Sequence, residues 1–122
     1  MDFRLTRDIH AWLEEKGLAN DCDIISVAGA AKNLVEDPQG YVFSLIGLAI
    51  QLHQIKKVIL LHHMDCGAYG GSAAFQSKAE EIKKHKAEVD KARDVIARHY
   101  PKIALEAYLV SPGKKGWKVE AL

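Results

Sequence analysis

Two residues invite a chemical reading before any other. His63 and Cys66 stand three apart in the stretch Leu61-His62-His63-Met64-Asp65-Cys66-Gly67, just after the apolar run 58–61. A spacing of three lets one turn of backbone aim both side chains at one point. An imidazole nitrogen and a thiolate together are a zinc-type donor pair. The same two residues also suit a buried histidine beside a small inert hydrophobe, and two donors alone leave both readings open. Asp2 and Arg4 form a second pair of interest. Two residues apart in an extended segment, they share a face and can join in a bidentate charge-assisted contact, or they can be a solvated surface pair.

The elements that must position these residues follow from pattern. Four apolar residues at 58–61, closed by turn-forming residues, predict a buried strand. The loop after it lies at the carboxyl end, where open α/β sheets place their ligands. The run 24–27 predicts a second buried strand, with Gly29 and its small neighbours giving a sharp turn or a close approach. Cys22, at the start of that strand, falls at the far end of a parallel sheet from His63 and Cys66 and is expected at a core or rim position. Thr6 predicts the cap of a short helix with Ile9, Leu13 and Leu18 on one face, broadened by Trp12 and ended with the help of Gly17. Asp37-Pro38 predicts a helix start, and apolar spacing carries that helix to about residue 53. It is apolar on more than one side, so it is expected to be heavily buried, in part against another subunit. Strand, helix, strand in that order implies a crossover joining a parallel pair. One long polar helix is expected over 72–100, stopped by Pro101, with His85 and His99 on its solvated surface. Strands at 103–110 and 117–122, joined by a turn, complete the chain.

Composition narrows the class. The chain has 122 residues, 48% of them hydrophobic and 27% charged, which suits a single globular domain over 1–122. A net charge of +1 provides no field to recruit nucleic acid or an anionic membrane. The basic run 83–86 is flanked by acids and reads as a solvated face. Two cysteines do not make a disulfide framework, so a reducing, cytoplasmic setting is expected. The longest apolar stretch is too short to span a bilayer, and the chain opens with charged residues rather than a leader. Gly67 to Ser72 lacks the following lysine of a phosphate-binding loop.

The order of these pieces resembles the β-class carbonic anhydrases. That family carries Cys-x-Asp-Ser-Arg, then Arg-Asn-Ala-Gly-Asn, then Gly-His-x-x-Cys-Gly, each at the end of a strand. Here the third is His62-His63-Met64-Asp65-Cys66-Gly67, with His62 for the leading glycine. The second is Ser26-Val27-Ala28-Gly29-Ala30, keeping Ala-Gly. The first is Met1-Asp2-Phe3-Arg4, keeping Asp and Arg with Phe3 for serine. Ser44-Leu45 is similar to the start of a Ser-Leu-x-x-Ala helix, with Ala49 one place late. The likeness covers roughly residues 1 to 71. The family's first zinc cysteine aligns immediately before Met1.

The resemblance implies an α/β fold with a parallel-core sheet of about four to five strands flanked by helices. It implies Zn2+ as cofactor, carbon dioxide and bicarbonate as substrate and product, and a homodimer or higher homo-oligomer. His63 and Cys66 would be ligands, with Asp2 able to join them and water completing the set. Asp2 and Arg4 would act as a gate, Arg4 holding the carboxylate off the metal. Ala28, Gly29 and Gly67 would wall the substrate pocket. The reaction would be attack by a zinc-generated hydroxide on carbon dioxide. Hydrolysis of carbonyl sulfide or carbon disulfide on the same site is a second reading, and a non-catalytic zinc-binding or assembly module a third.

Overall fold

The computed structural model describes residues 2–114 and 116–122. Met1 and Lys115, which the sequence reading places in the opening motif and the closing turn, lie outside the described residues. The chain forms α1 (Thr6–Glu15), α2 (Ala31–Glu36), α3 (Tyr41–His53), β1 (Lys57–His63), α4 (Lys78–His99), β2 (Ala104–Gly113) and β3 (Gly116–Ala121). Short 3-10 turns precede α1 at Phe3–Leu5 and follow β1 at Gly67–Tyr69 and Ser72–Ala74.

The described sheet has three strands in the order β1-β2-β3, fewer than the four to five expected. β1 and β2 are parallel, with His62 opposite Leu109 and His63 opposite Val110, and α4 joins them. β2 and β3 are antiparallel. The parallel partner of β1 is therefore β2, and the segment 24–27 forms no strand of this sheet. Ile24 and Ile25 are 61% and 37% exposed. A short apolar run specifies burial against something, but not whether that cover is a neighbouring strand. Here β1 lies at a sheet edge, and 24–27 is an irregular stretch leading to the cavity described below.

The core lies between one face of the sheet and helices α2, α3 and α4. Leu60, Leu105 and Ala107 from the strands meet Leu34, Ile46, Val89, Ala92 and Ile96 from the helices. Strand side chains alternate faces, so Tyr108 points the other way and meets Trp12 of α1 edge-on, with ring centroids 4.9 Å apart.

Helix ends follow their caps. α4 starts at Lys78, not at 72, because Ser77 accepts the Glu80 N–H while Glu80 accepts the Gln76 N–H, close to a capping box. Pro101 stands two residues past its end. α3 starts at Tyr41, three residues later than Asp37-Pro38 suggested, because Asp37 to Gly40 closes a turn with Gly40 N donating to the Asp37 carbonyl. α2 is short and was not anticipated. Gly17, at φ +69, occupies a left-handed position after α1.

Candidate active site

β1 runs through both histidines. Because adjacent strand residues face opposite ways, His62 turns to α2 and α4 while His63 turns to the amino-terminal segment. The chain then reverses. Asp65 sits at φ +59, and Gly70 and Gly71 at φ +89 and +72, so the loop is built on left-handed positions. Glu81 of α4 ties it down: one carboxylate oxygen accepts the Asp65 N–H at 2.6 Å, the other the Ser72 hydroxyl at 2.7 Å. Asp65 in turn accepts the Ser72 N–H, which with Arg4 holds its carboxyl below the usual range.

This loop and the one before α2 enclose a small cavity. His62, His63 and Leu61 of β1 line it, with Cys66 and Tyr69 from the following loop and Val27, Gly29 and Ala30 opposite. Its volume of about 10 Å3 is the room of one water. His63 and Cys66 are thus brought to one cavity, both buried. Gly29 also lines it, whereas Ala28 and Gly67 lie outside the lining. Only glycine suits position 29, since φ is +80 and an added Cβ would come 3.1 Å from Ala68 and from Lys32.

His63 Nδ1 lies 2.9 Å from the Met64 carbonyl and donates to it, which leaves Nε2 as the free lone pair. Orientation of one imidazole nitrogen by a backbone carbonyl is the usual companion of metal ligation by the other. Cys66 is buried and in no disulfide; Cys22 is exposed, away from the cavity rather than in a core. A histidine and a thiol fit zinc in kind. In number they fall short: among the described residues, no three His, Cys, Asp or Glu side chains are placed to hold one ion.

Asp2 and Arg4 form the bidentate pair. Arg4 donates from Nε to both Asp2 oxygens at 3.0 Å and from Nη2 to Oδ2 at 2.6 Å. Asp2 caps the 3-10 turn by accepting the Arg4 N–H at 2.9 Å, so the two meet around a turn rather than along a strand. Arg4 also reaches Asp65 Oδ2 at 3.1 Å, and Asp2 Oδ2 stands 3.7 Å from His63 Nδ1.

The Arg4 contact, working against burial, holds the Asp2 carboxyl at about 2, below its ordinary 3.8. Because the folded value is the lower one, stabilisation from this pair is fully present above pH 3.8 and is lost as pH falls through about 2. Carboxyl carbon NMR should give an Asp2 midpoint near 2 that returns towards 3.8 in Arg4→Ala. A midpoint already near 3.8 in the parent would contradict the pairing.

Sequence reasoning missed four of the buried or bridging groups here. His62 is 2% exposed, and burial, with His85 and His63 nearby, pulls its pKa down to about 4. His85, expected on the solvated surface, is fully buried, and burial lowers its pKa as well. Glu81 is buried beside it, and the Tyr69 hydroxyl donates to the Gly29 carbonyl at 3.1 Å. The spacing 81, 85, 88, 92, 96 along α4 carried the signal, since all five positions fall on the buried face.

A family model described as "Putative carbonic anhydrase" matches residues 1–122. The chain belongs to that family. Its curated relatives include an uncharacterized protein of Rickettsia conorii, 31% identical over 117 residues covering 90% of this chain and 63% of that protein. An uncharacterized protein of Rickettsia bellii is 30% identical over 117 residues, covering 90% of this chain and 71% of its own length. The chain thus spans less than two thirds of the first relative. No solved structure matches it. No helix among the described residues is long and apolar enough to cross a membrane.

Proposed function

We propose that this carbonic-anhydrase family chain is a β-class enzyme that hydrates carbon dioxide reversibly to bicarbonate on a zinc site. One observation carries the reading: His63, with Nδ1 taken by a backbone carbonyl, shares a water-sized cavity with buried Cys66, 3.7 Å from a carboxylate that an arginine already grips. His63 Nε2 and Cys66 Sγ would hold the ion. Asp2 would be a further donor only on leaving Arg4, which now holds it. Zinc would supply, when bound, the acidification of a water to a pKa of about 7, so that a nucleophile would exist at neutral pH.

The chain's own groups do the rest. Arg4 keeps the Asp2 carboxylate in a fork of two side-chain donors, Nε–H and Nη2–H, and so decides whether it points at guanidinium or at the site. Asp65, held by Ser72 and Glu81, anchors Arg4 from the other side. Leu61, Val27 and Ala30 give the cavity apolar walls.

Carbonyl sulfide and carbon disulfide would meet the same walls. Stopped-flow rates on carbon dioxide and on carbonyl sulfide with the zinc-loaded protein separate the gases. Faster turnover of carbonyl sulfide would replace the hydration reading. A non-catalytic module is favoured by one observation: among the described residues, no three His, Cys, Asp or Glu side chains are placed to hold one ion. Folded protein that takes up no zinc would establish it.

The chain works as a dimer in a reducing compartment. α3, expected to be heavily buried, has only Ile46 buried and leaves Tyr41, Leu48 and Leu52 exposed, and Ile24 and Ile25 are exposed before α2, an apolar surface that a second copy would cover. Light scattering should return twice the chain mass, with Leu48→Glu shifted towards the monomer. A monomeric parent at micromolar concentration would contradict this.

A further inference from the structure

We propose that His85 and Glu81 of α4 are positioning residues that lock His62 in its Nδ1–H tautomer and, through it, hold the Gly29–Ala31 wall of the cavity. The catalytic consequence rests on the reading above; the tautomer does not.

The proton order follows from one backbone group. Ala31 N–H, buried at the start of α2, donates to His62 Nε2 at 3.4 Å. A ring nitrogen that accepts carries no proton, so neutral His62 bears its proton on Nδ1. That nitrogen lies 3.1 Å from Nδ1 of His85. One of the two must donate, and only His62 can. His85 Nδ1 is then bare, and its proton sits on Nε2. His85 Nε2 has no hydrogen-bond partner, yet the nearest carboxylate oxygen, Glu81 Oε1, is 3.8 Å away. A buried N–H facing a carboxylate is favoured over a bare nitrogen facing one. The backbone donor at one end and the carboxylate at the other therefore demand the same proton arrangement. Neither ring has a second choice without losing a contact.

The wall needs such a hold. Gly29 and Ala30 lie at φ +80 and +41, and Ala30 is not a glycine, so its left-handed geometry must be imposed by its surroundings. Beside Asn33, whose Nδ2 donates to the Ala30 carbonyl at 3.3 Å, two ties reach it from across the cavity: His62 through Ala31 N–H, and Tyr69 through the Gly29 carbonyl. Tyr69 packs edge-on against His85 at 4.9 Å, so both ties lean on the same buried ring.

The test reads ring nitrogens by 15N NMR in zinc-free protein at neutral pH. The parent should show His62 protonated on Nδ1 and His85 on Nε2. His85→Phe removes the acceptor at similar bulk, so His62 should shift towards its Nε2–H form. Ala31 amide exchange should then quicken about 3- to 10-fold, the net worth of one hydrogen bond. His85→Gln offers a carbonyl to the same proton and should restore the Nδ1–H form. An Nε2–H His62 in the parent overturns the proposal, and that spectrum decides even if His85→Phe does not fold. An unchanged His62 tautomer and Ala31 exchange in folded His85→Phe overturns it too. If the parent has the expected tautomers but hydrates no carbon dioxide, the hydration reading falls and this one stands.

Discussion

Replacing His63 with alanine, or Cys66 with serine, should weaken zinc binding by at least ~100-fold, because loss of a mere supporting partner of a ligand already costs ~10- to 100-fold. Each change removes one of the two proposed ligands, both of which line the cavity. His63→Ala deletes the imidazole whose orientation the Met64 carbonyl sets. Cys66→Ser leaves a hydroxyl where a thiolate suits zinc far better. Cys22→Ser is the internal control, since Cys22 is exposed and outside the cavity lining. Competition with a chelator of known affinity measures all three. Equal zinc retention in His63→Ala and the parent would remove the site assignment.

Arg4→Ala should keep its zinc and lose about 100-fold in carbon dioxide hydration, in line with removal of one preorganised donor group from a site. Arg4 makes three side-chain hydrogen bonds to Asp2 and one to Asp65 Oδ2. Without them Asp2, whose Oδ2 lies 3.7 Å from His63 Nδ1, would be free to turn to an ion held by His63 and Cys66 and take the place of water. Asp2→Asn behaves differently: where Asp2 serves as a ligand in this chain, loss of its charge should cost zinc as well as rate. Zinc content and stopped-flow rates on both variants separate the cases. Parent-like hydration by Arg4→Ala would make the pair a feature of the surface only.

The local parts of this architecture were legible because local patterns encode them. The apolar run 58–61 marked β1, although the strand continues through both histidines to His63. Pro101 marked the end of α4, and Ser77 with Glu80 held the true start, three residues apart in cap spacing. Pairing was not legible. The run 24–27 looks like a buried strand, yet β1 takes β2 as its parallel partner through α4, because periodicity says that a face is covered and not by what. The site divides the same way. His63, Cys66 and Gly29 line one cavity; the local spacing singled out the histidine and cysteine, and only the family resemblance set Gly29 beside them. His85 was read as solvated because it is a polar residue in a polar helix, and only its register with Glu81 and Val89 betrays the buried face. Long-range partners such as Glu81 with Asp65, or His62 with His85, exist only once the chain is folded.

The most direct test of the zinc-hydratase reading is the initial rate of carbon dioxide hydration by the zinc-reconstituted chain, measured beside His63→Ala at the same protein concentration. The parent should bind zinc and accelerate hydration well above the buffer rate, while His63→Ala stays at the buffer rate. A parent that holds stoichiometric zinc and hydrates carbon dioxide no faster than buffer would contradict the account.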